Sequence, residues 1–300
     1  MRFSIIIPLA PERKCEVKES AENLDFNKKE YEVIIISGKN PSLNRNTGAE
    51  KARGEILCFL DDDAKIEKNI LKKADEFFKK HDADILGGPQ LTPRDDKYFA
   101  KTSGYAMADF FGTSFMSNRY KKGKLNLEAS ENDLTSAICF VKKDVFEKLK
   151  GFNLDLFPGE DPEFFYRAKK EGYKIAYYPE VFIYHRRRPN IQGLMKQFFN
   201  YGLTRVKKER ALGNKINLLY LLPSLFIIYL ILLLPLSLIS AGLFLIPLQI
   251  YIILVLFSSV KQAIKFRDLE ALIILPFIYP LIHLSYGIGL IKGLMKSKKA

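Results

Sequence analysis

The chain has 300 residues, enough for one or two domains, with 47 Lys and Arg against 34 Asp and Glu for a formal net charge of +13. Its 48 % hydrophobic content is unevenly spread: residues 1 to 215 mix charged and apolar side chains as a soluble domain does, whereas Asn217 to Val260 has no charged side chain. No zinc-finger spacing or RNA-recognition signature accompanies the positive charge, so no nucleic-acid partner is expected. No GxGxxG and no P-loop is present, which argues against a dinucleotide dehydrogenase or a nucleoside triphosphatase.

The N-terminal run Phe3 to Ile7 is too short and too soon interrupted by Pro8 for a signal peptide, and it reads as a first strand. Further strand-like runs follow at Tyr31 to Ile36, Ile56 to Leu60 and Ile85 to Leu86, with helix formers at Leu43 to Arg53 and Glu67 to Lys80 between them. This alternation predicts parallel βαβ units, an α/β fold whose ligands bind at the carboxyl ends of the strands. Cys15, Cys58 and Cys139 are scattered without a CxxC pair and read as free thiols in a reducing cytosol.

At the end of the third strand stand Asp61, Asp62 and Asp63. Clustered carboxylates there suit a hard cation such as Mg²⁺ or Mn²⁺, and Asp63 as the N-cap of a helix beginning near Lys65 is the competing reading. Ser136 to Val141 reads as another strand and Lys143 to Lys150 as a short helix. Glu160 and Asp161 then sit where a helix should begin, with Pro162 in its first turn. One acid there is explained by capping; a second, beside Phe157 and Pro158, has the surroundings of a general base. Lys174 to Pro179 and Val181 to Tyr184 read as strands, the latter ending in His185, either a metal ligand or polar edge decoration. Arg186, Arg187 and Arg188 suit a diphosphate or lipid head groups.

Arg45-Asn46-x-Gly48, Phe59-Leu60-Asp61-Asp62-Asp63, Gly87-Gly88-Pro89 and Gly159-Glu160-Asp161 with Arg167, in that order, resemble family 2 glycosyltransferases of the GT-A fold over residues 2 to 190. Gln197-x3-Tyr201-Gly202 and His283-Leu284-Ser285-Tyr286-Gly287-x-Gly289 are similar to membrane-bound members of the succinoglycan glucosyltransferase type. The resemblance implies a Rossmann-like, mostly parallel catalytic domain and a nucleotide-sugar donor. It also implies roles: Asp63 and Asp61 on the metal, Asp61 and Asp62 on the nucleotide sugar, Asp161 as general base with Glu160 shaping the acceptor site, Pro8 and Arg45 beside the nucleotide. His185 and Arg186 are expected to add to the metal and diphosphate sites. Relatives carry a base-recognising acid after the second strand, where this chain reads Ser37-Gly38-Lys39-Asn40.

From His185 to Lys215 nine basic residues face the single acid Glu209, as befits an anionic membrane surface. Residues 191 to 215 suit an interfacial amphipathic helix or one packed on protein. Beyond them, 217 to 239 and 243 to 260 have the length of spans, with Ser240-Ala241-Gly242 reading as the turn between them, and the basic residues after them mark the cytoplasmic side. A third apolar stretch, 269 to 291, contains Pro276 and Pro280 and is followed by Lys292, Lys296, Lys298 and Lys299. Its length favours a third span, while its basic flank favours a broken or re-entrant helix. The expectation is a multi-pass protein of the cell membrane with its catalytic domain, residues 1 to 190, in the cytoplasm. Its acceptor would be a lipid-linked saccharide, with polyprenyl phosphate or a catalytically silent scaffold as alternatives.

Overall fold

The computed structural model describes residues 1–297; Lys298 and Lys299 of the basic C-terminus lie outside the described residues. The chain divides into two compact units, Met1–Pro93 with Asn118–Arg186, and Arg94–Ser117 with Arg187–Ala300. Residues 94–117, read from sequence as part of the first domain, thus group with the C-terminal segment.

In the first unit, β1 (Phe3–Leu9), α1 (Lys18–Glu22), β2 (Tyr31–Ser37), α2 (Pro41–Lys51) and β3 (Ile56–Leu60) form parallel βαβ turns. The chain continues through β4 (Ala64–Ile66), α3 (Ile70–Lys80), β5 (Ile85–Gly87) and β6 (Gln90–Leu91). After residues 94–117, which hold α4 (Tyr98–Met107) and α5 (Phe110–Thr113), and a 3₁₀ helix at Ser114–Tyr120, it resumes with β7 (Ile138–Lys142). Then come α6 (Lys143–Lys148), α7 (Glu160–Lys170), β8 (Ile175–Tyr177) and β9 (Ile183–His185). The main sheet has six strands in the order β2-β1-β3-β7-β5-β8, and β7 alone runs against its neighbours. Alternation along the strands builds a core on each face: Phe3, Ile5, Cys58 and Leu60 on one, Ile6, Leu57, Phe59 and Val141 on the other.

Two features differ from the sequence reading. Ala64–Ile66 is a strand paired with β9 rather than the start of a helix, so Asp63 caps no helix, and α3 begins at Ile70 rather than Glu67. The β-branched and apolar content of Ala64-Lys65-Ile66 is too short a signal to read alone, and pairing with Ile183–His185 decides it. The partner strands β4, β9 and β6 make a second, three-stranded sheet. Gly88 lets the chain pass from the main sheet into it, because a Cβ at this position would lie 1.9 Å from the carbonyl oxygen of Val181.

In the second unit, α8 (Ile191–Ala211) is followed by α9 (Leu218–Phe244), α10 (Ile246–Phe266) and α11 (Ala271–Ser297). The last three are long and apolar enough to cross a membrane. α9 bends at Ser240, whose φ of −158° and ψ of 95° are not helical, at the Ser240-Ala241-Gly242 turn expected from sequence. α8 packs on α11 with backbones in close contact: a Cβ on Gly202 would lie 2.1 Å from the Tyr286 carbonyl oxygen, and one on Gly289 would lie 2.0 Å from that of Phe199.

Gly88→Ala is expected to destabilise the first unit by roughly 1–3 kcal/mol, as overpacking against backbone does. Thermal melting of the purified protein would register it, and an unchanged midpoint would show that the Val181 carbonyl can move aside.

Candidate active site

Parallel strands β1 and β3 end at one edge of the main sheet, and the reversed β7 begins there. Because Leu60 pairs with Ile138, the backbone N–H of Asp61 donates to the Ala137 carbonyl at 3.2 Å, which brings the residues before β7 beside the acid cluster. Ser136, in that lead-in, donates its N–H to Asp161 Oδ2 at 3.4 Å. Carboxylates about one hundred residues apart in sequence therefore share one edge.

Arg45 joins them. Its guanidinium is buried, donating from Nη2 to Asp61 Oδ1 at 2.9 Å and from Nη1 to Glu160 Oε1 at 3.0 Å. The Phe152 ring lies 5.8 Å below it. Glu160 opens α7, and its second oxygen accepts from the Gly159 N–H at 3.0 Å. Burial and the neighbouring charge of Asp161 outweigh Arg45 and push the Glu160 carboxyl up to about 7. Asp161 Oδ2 lies 3.6 Å from Arg119 Nη1, and Arg119 is held in turn by the carbonyls of Glu131 and Asn132.

His185 is carried to the acids by the small sheet, where it pairs with Ala64, one residue past Asp63. Its Nε2 lies 3.1 Å from Asp63 Oδ1 and 3.6 Å from Asp61 Oδ2. Burial disfavours the charged imidazole, but the two carboxylates overcome it and raise its pKa to about 9. Burial likewise opposes the charge on Asp61 and Asp63. His185 with Arg45 in the one case, and with Arg13 in the other, nevertheless holds both below the usual carboxylate range. Arg13 reaches Asp63 Oδ2 at 2.8 Å and Asp62 Oδ1 at 3.2 Å. Asp62 is buried, its carbonyl accepts from the Val17 N–H, and burial raises its carboxyl to about 6.

Asp61, Asp63 and His185 each offer a ligand atom within 4.8 Å of the others, and all three are partly exposed. Asp63 Oδ1 and His185 Nδ1 are buried with no hydrogen-bond partner among the described residues. Two carboxylates and an imidazole with unsatisfied atoms fit a divalent cation, and an oxygen-rich set suits Mn²⁺ or Mg²⁺.

The remaining residues singled out in sequence fall as follows. Pro8 is buried on β1 opposite Ile36, and Arg186, directly after His185, is exposed. Arg167 turns away from the acids to clasp Glu163 at 2.8 Å and the Gly151 carbonyl at 2.8 Å, tying α7 to the end of α6. After β2, where a base-recognising acid is missing, Asn40 caps α2 by accepting from Ser42 and Leu43, and Asn44 donates to the Gly38 carbonyl. Sequence reasoning missed Arg13 and Arg119. Arg13 stands just past the end of β1, where the strand-end rule could have found it; nothing local marks Arg119.

A mostly parallel sheet with an acid cluster at its carboxyl edge and a second acid pair opposite defines a glycosyltransferase of the GT-A fold. The chain belongs to the family described as glycosyltransferase like family 2, whose model matches residues 5–200. One relative is the dolichyl N-acetyl-alpha-D-glucosaminyl phosphate 3-beta-D-2,3-diacetamido-2,3-dideoxy-beta-D-glucuronosyltransferase of Methanococcus voltae, 25 % identical over 334 residues, which cover 98 % of this chain and 97 % of that protein. Another is glycosyltransferase AglE of Haloferax volcanii, 28 % identical over 60 % of this chain and 56 % of that protein. Among solved structures, the mannosyltransferase PcManGT of Pyrobaculum calidifontis in complex with GDP-Man and Mn²⁺ shares the fold with a TM-score of 0.57 at 16 % identity, over 98 % of this chain and 87 % of that one. Staphylococcus aureus TarS 1-349 in complex with UDP-GlcNAc matches with a TM-score of 0.51 at 16 % identity, over 99 % of this chain and 92 % of that one.

Replacing Arg45 with Met leaves Asp61 and Glu160 facing each other without their cation and is expected to cost about 3–5 kcal/mol. Adding Glu160→Gln should recover part of the loss; denaturation of the single and double variants measures both. A second expectation concerns pH. His185 titrates near 9 when folded and near 6.5 when unfolded, so its contribution is complete below pH 6.5 and is lost as pH rises through 9. In chelator, the melting temperature should fall across that window, and His185→Gln should flatten the fall.

Proposed function

We propose that this chain is an inverting, metal-dependent glycosyltransferase that moves a sugar from a nucleoside-diphosphate sugar to a lipid-linked saccharide at the cytoplasmic face of a membrane. The observation that carries the reading is the Arg45 bridge, which holds the Asp61 end of the acid cluster against the Glu160–Asp161 pair. Single displacement at an anomeric carbon needs a base on the acceptor side and charge stabilisation on the leaving side, and these two groups of acids provide them.

Asp161 is the general base: it takes the proton of the acceptor hydroxyl, while Arg119 and the Ser136 N–H fix the direction of its carboxylate. Glu160, locked to Arg45, shapes the acceptor side and does not itself move a proton. Asp63, Asp61 and His185 would hold Mn²⁺ or Mg²⁺, which when bound neutralises charge on the departing diphosphate. His185 must give up its proton to serve as a ligand. Arg45 acts on the donor site through Asp61, and Asp62, engaged by Arg13, braces the turn between the two ligand acids. Pro8, at the end of β1, would lie beside the base, and Arg186 would meet the diphosphate.

For the acceptor, the Methanococcus voltae relative's name joins glucuronosyl transfer to a dolichyl N-acetyl-alpha-D-glucosaminyl phosphate, and this supports a lipid-linked saccharide over bare polyprenyl phosphate. Membrane attachment falls to residues 191–215 and the apolar helices after them. Lys261, Lys265 and Arg267, at the end of the second of these, support a cytoplasmic position.

Purified full-length protein supplied with a panel of sugar nucleotides, Mn²⁺ or Mg²⁺, and either polyprenyl phosphate or a lipid-linked monosaccharide should release nucleoside diphosphate and extend the saccharide. Chelation should stop it. Asp161→Asn is expected to lower kcat by roughly 10²–10⁴ while donor affinity is kept; turnover near that of the parent would remove Asp161 from the role of base.

A further inference from the structure

Arg45, Arg119 and Arg13 all touch carboxylates at the acid edge, but they differ in exposure. The first two are buried, and protein groups take their forks: Asp61 and Glu160 for Arg45, Asp161 with the carbonyls of Glu131 and Asn132 for Arg119. The Arg13 side chain is 51 % exposed, with Nη2 2.8 Å from Asp63 Oδ2 and Nη1 3.2 Å from Asp62 Oδ1. Among the described residues its side chain has no other hydrogen-bond partner, so the rest of its N–H groups are not taken by protein.

The loop that carries Arg13, between β1 and α1, is fixed at both ends. The Arg13 N–H donates to the Ala10 carbonyl at 3.0 Å, just past β1. Beyond it, the Val17 N–H donates to the Asp62 carbonyl at 3.1 Å, and the Val17 side chain is fully buried. The loop is thereby closed onto the turn that holds the acids, and the guanidinium is presented there rather than left to wander.

Stability does not account for this placement, because a half-exposed ion pair contributes little to it. Cation affinity does not account for it either. His185 Nε2 lies 3.1 Å from Asp63 Oδ1 while Arg13 is on Oδ2, so the two flank the same carboxylate. A divalent cation on Asp63 therefore has the Arg13 fork as a near neighbour of like charge, and the two repel. The arrangement becomes favourable when an anion accompanies the cation. A diphosphate offers non-bridging oxygens that match the planar fork of arginine, which a lysine ammonium does not.

We propose that Arg13 is a donor-binding residue: the N–H groups of its fork that protein leaves open grip the diphosphate of the sugar nucleotide from the Oδ2 side of Asp63, across from His185. When the bond between the anomeric carbon and the diphosphate oxygen breaks, its electron pair stays on that oxygen, so the contact strengthens as transfer proceeds. The acceptor oxygen forms the new bond to the anomeric carbon and loses its proton to Asp161. The inference rests on the nucleotide-sugar reading proposed above and is independent of membrane attachment.

Removing a positive charge beside the acids has opposite consequences for a cation and for an anion, and this separates contact with the donor from an effect through Asp63. The full-length protein in detergent is titrated with Mn²⁺ alone, followed by the electron paramagnetic resonance of the free ion. It is then titrated calorimetrically with UDP, GDP, dTDP, ADP and CDP in the presence of Mn²⁺. Arg13→Gln is expected to bind Mn²⁺ as tightly as the parent or more tightly. It should bind the nucleoside diphosphate that the parent prefers about 10- to 100-fold more weakly, the worth of one or two charge-assisted hydrogen bonds. Arg13→Lys, which keeps the charge without the fork, should regain only part of that affinity. An unchanged nucleoside diphosphate affinity in Arg13→Gln overturns the proposal. Weakened binding of Mn²⁺ alone in that variant also overturns it, because Arg13 would then act by positioning Asp63. A parent protein that binds none of the five nucleotides overturns the nucleotide-sugar reading itself, and the proposal with it.

Discussion

The buried guanidinium of Arg45 is the contact on which the site depends. A cation taken out of water needs its full set of partners, and Arg45 finds two carboxylates, one from each end of the catalytic sequence. A buried ion network of this kind contributes little net stability relative to apolar side chains at all its positions together, so its value lies in what it positions. From α2 it holds the end of β3 and the start of α7 in a fixed relation, reaching Glu160 across 115 residues of sequence. The planar fork of arginine allows both contacts at once, which the single ammonium of lysine would not.

Around that bridge the charges form a continuous series: Asp161 beside Arg119, Glu160 on Arg45, Asp61 between Arg45 and His185, Asp63 between His185 and Arg13, Asp62 on Arg13. Each acid at the edge has a cation neighbour, which is why so many carboxylates can crowd one sheet edge without forcing it open. The environment still divides them. Asp61 and Asp63 are held below the ordinary carboxylate range by their cations, whereas burial keeps Glu160 and Asp62 well above it. Such a division suits Asp61 and Asp63 to cation binding and makes Glu160 and Asp62 parts of the frame.

The second unit is built on a different constraint. Its helices are apolar enough for a bilayer, yet a line of polar contacts, Asp268 with Tyr98 and Tyr105, Asp109 with Tyr279, His283 with the Phe111 carbonyl, runs beneath α11. Glycines at 202, 289 and 293 bring α8 and α11 backbone to backbone. Composition describes what a helix could face; packing decides which of its sides remain to face it.

The sequence by itself determined the α/β alternation, the acid cluster after the third strand, the acid pair at Glu160 and Asp161, and the apolar C-terminal helices, since each is written in adjacent residues with a clear period or a clear charge pattern. Only the tertiary structure decided that Ala64–Ile66 is a strand, that β7 runs backwards between β3 and β5, that Arg13 and Arg119 belong to the acids, and that residues 94–117 pack with the C-terminal helices. These depend on pairings between residues far apart in the chain, and three residues of strand or one arginine in a loop carry too little local free-energy preference to declare their partners.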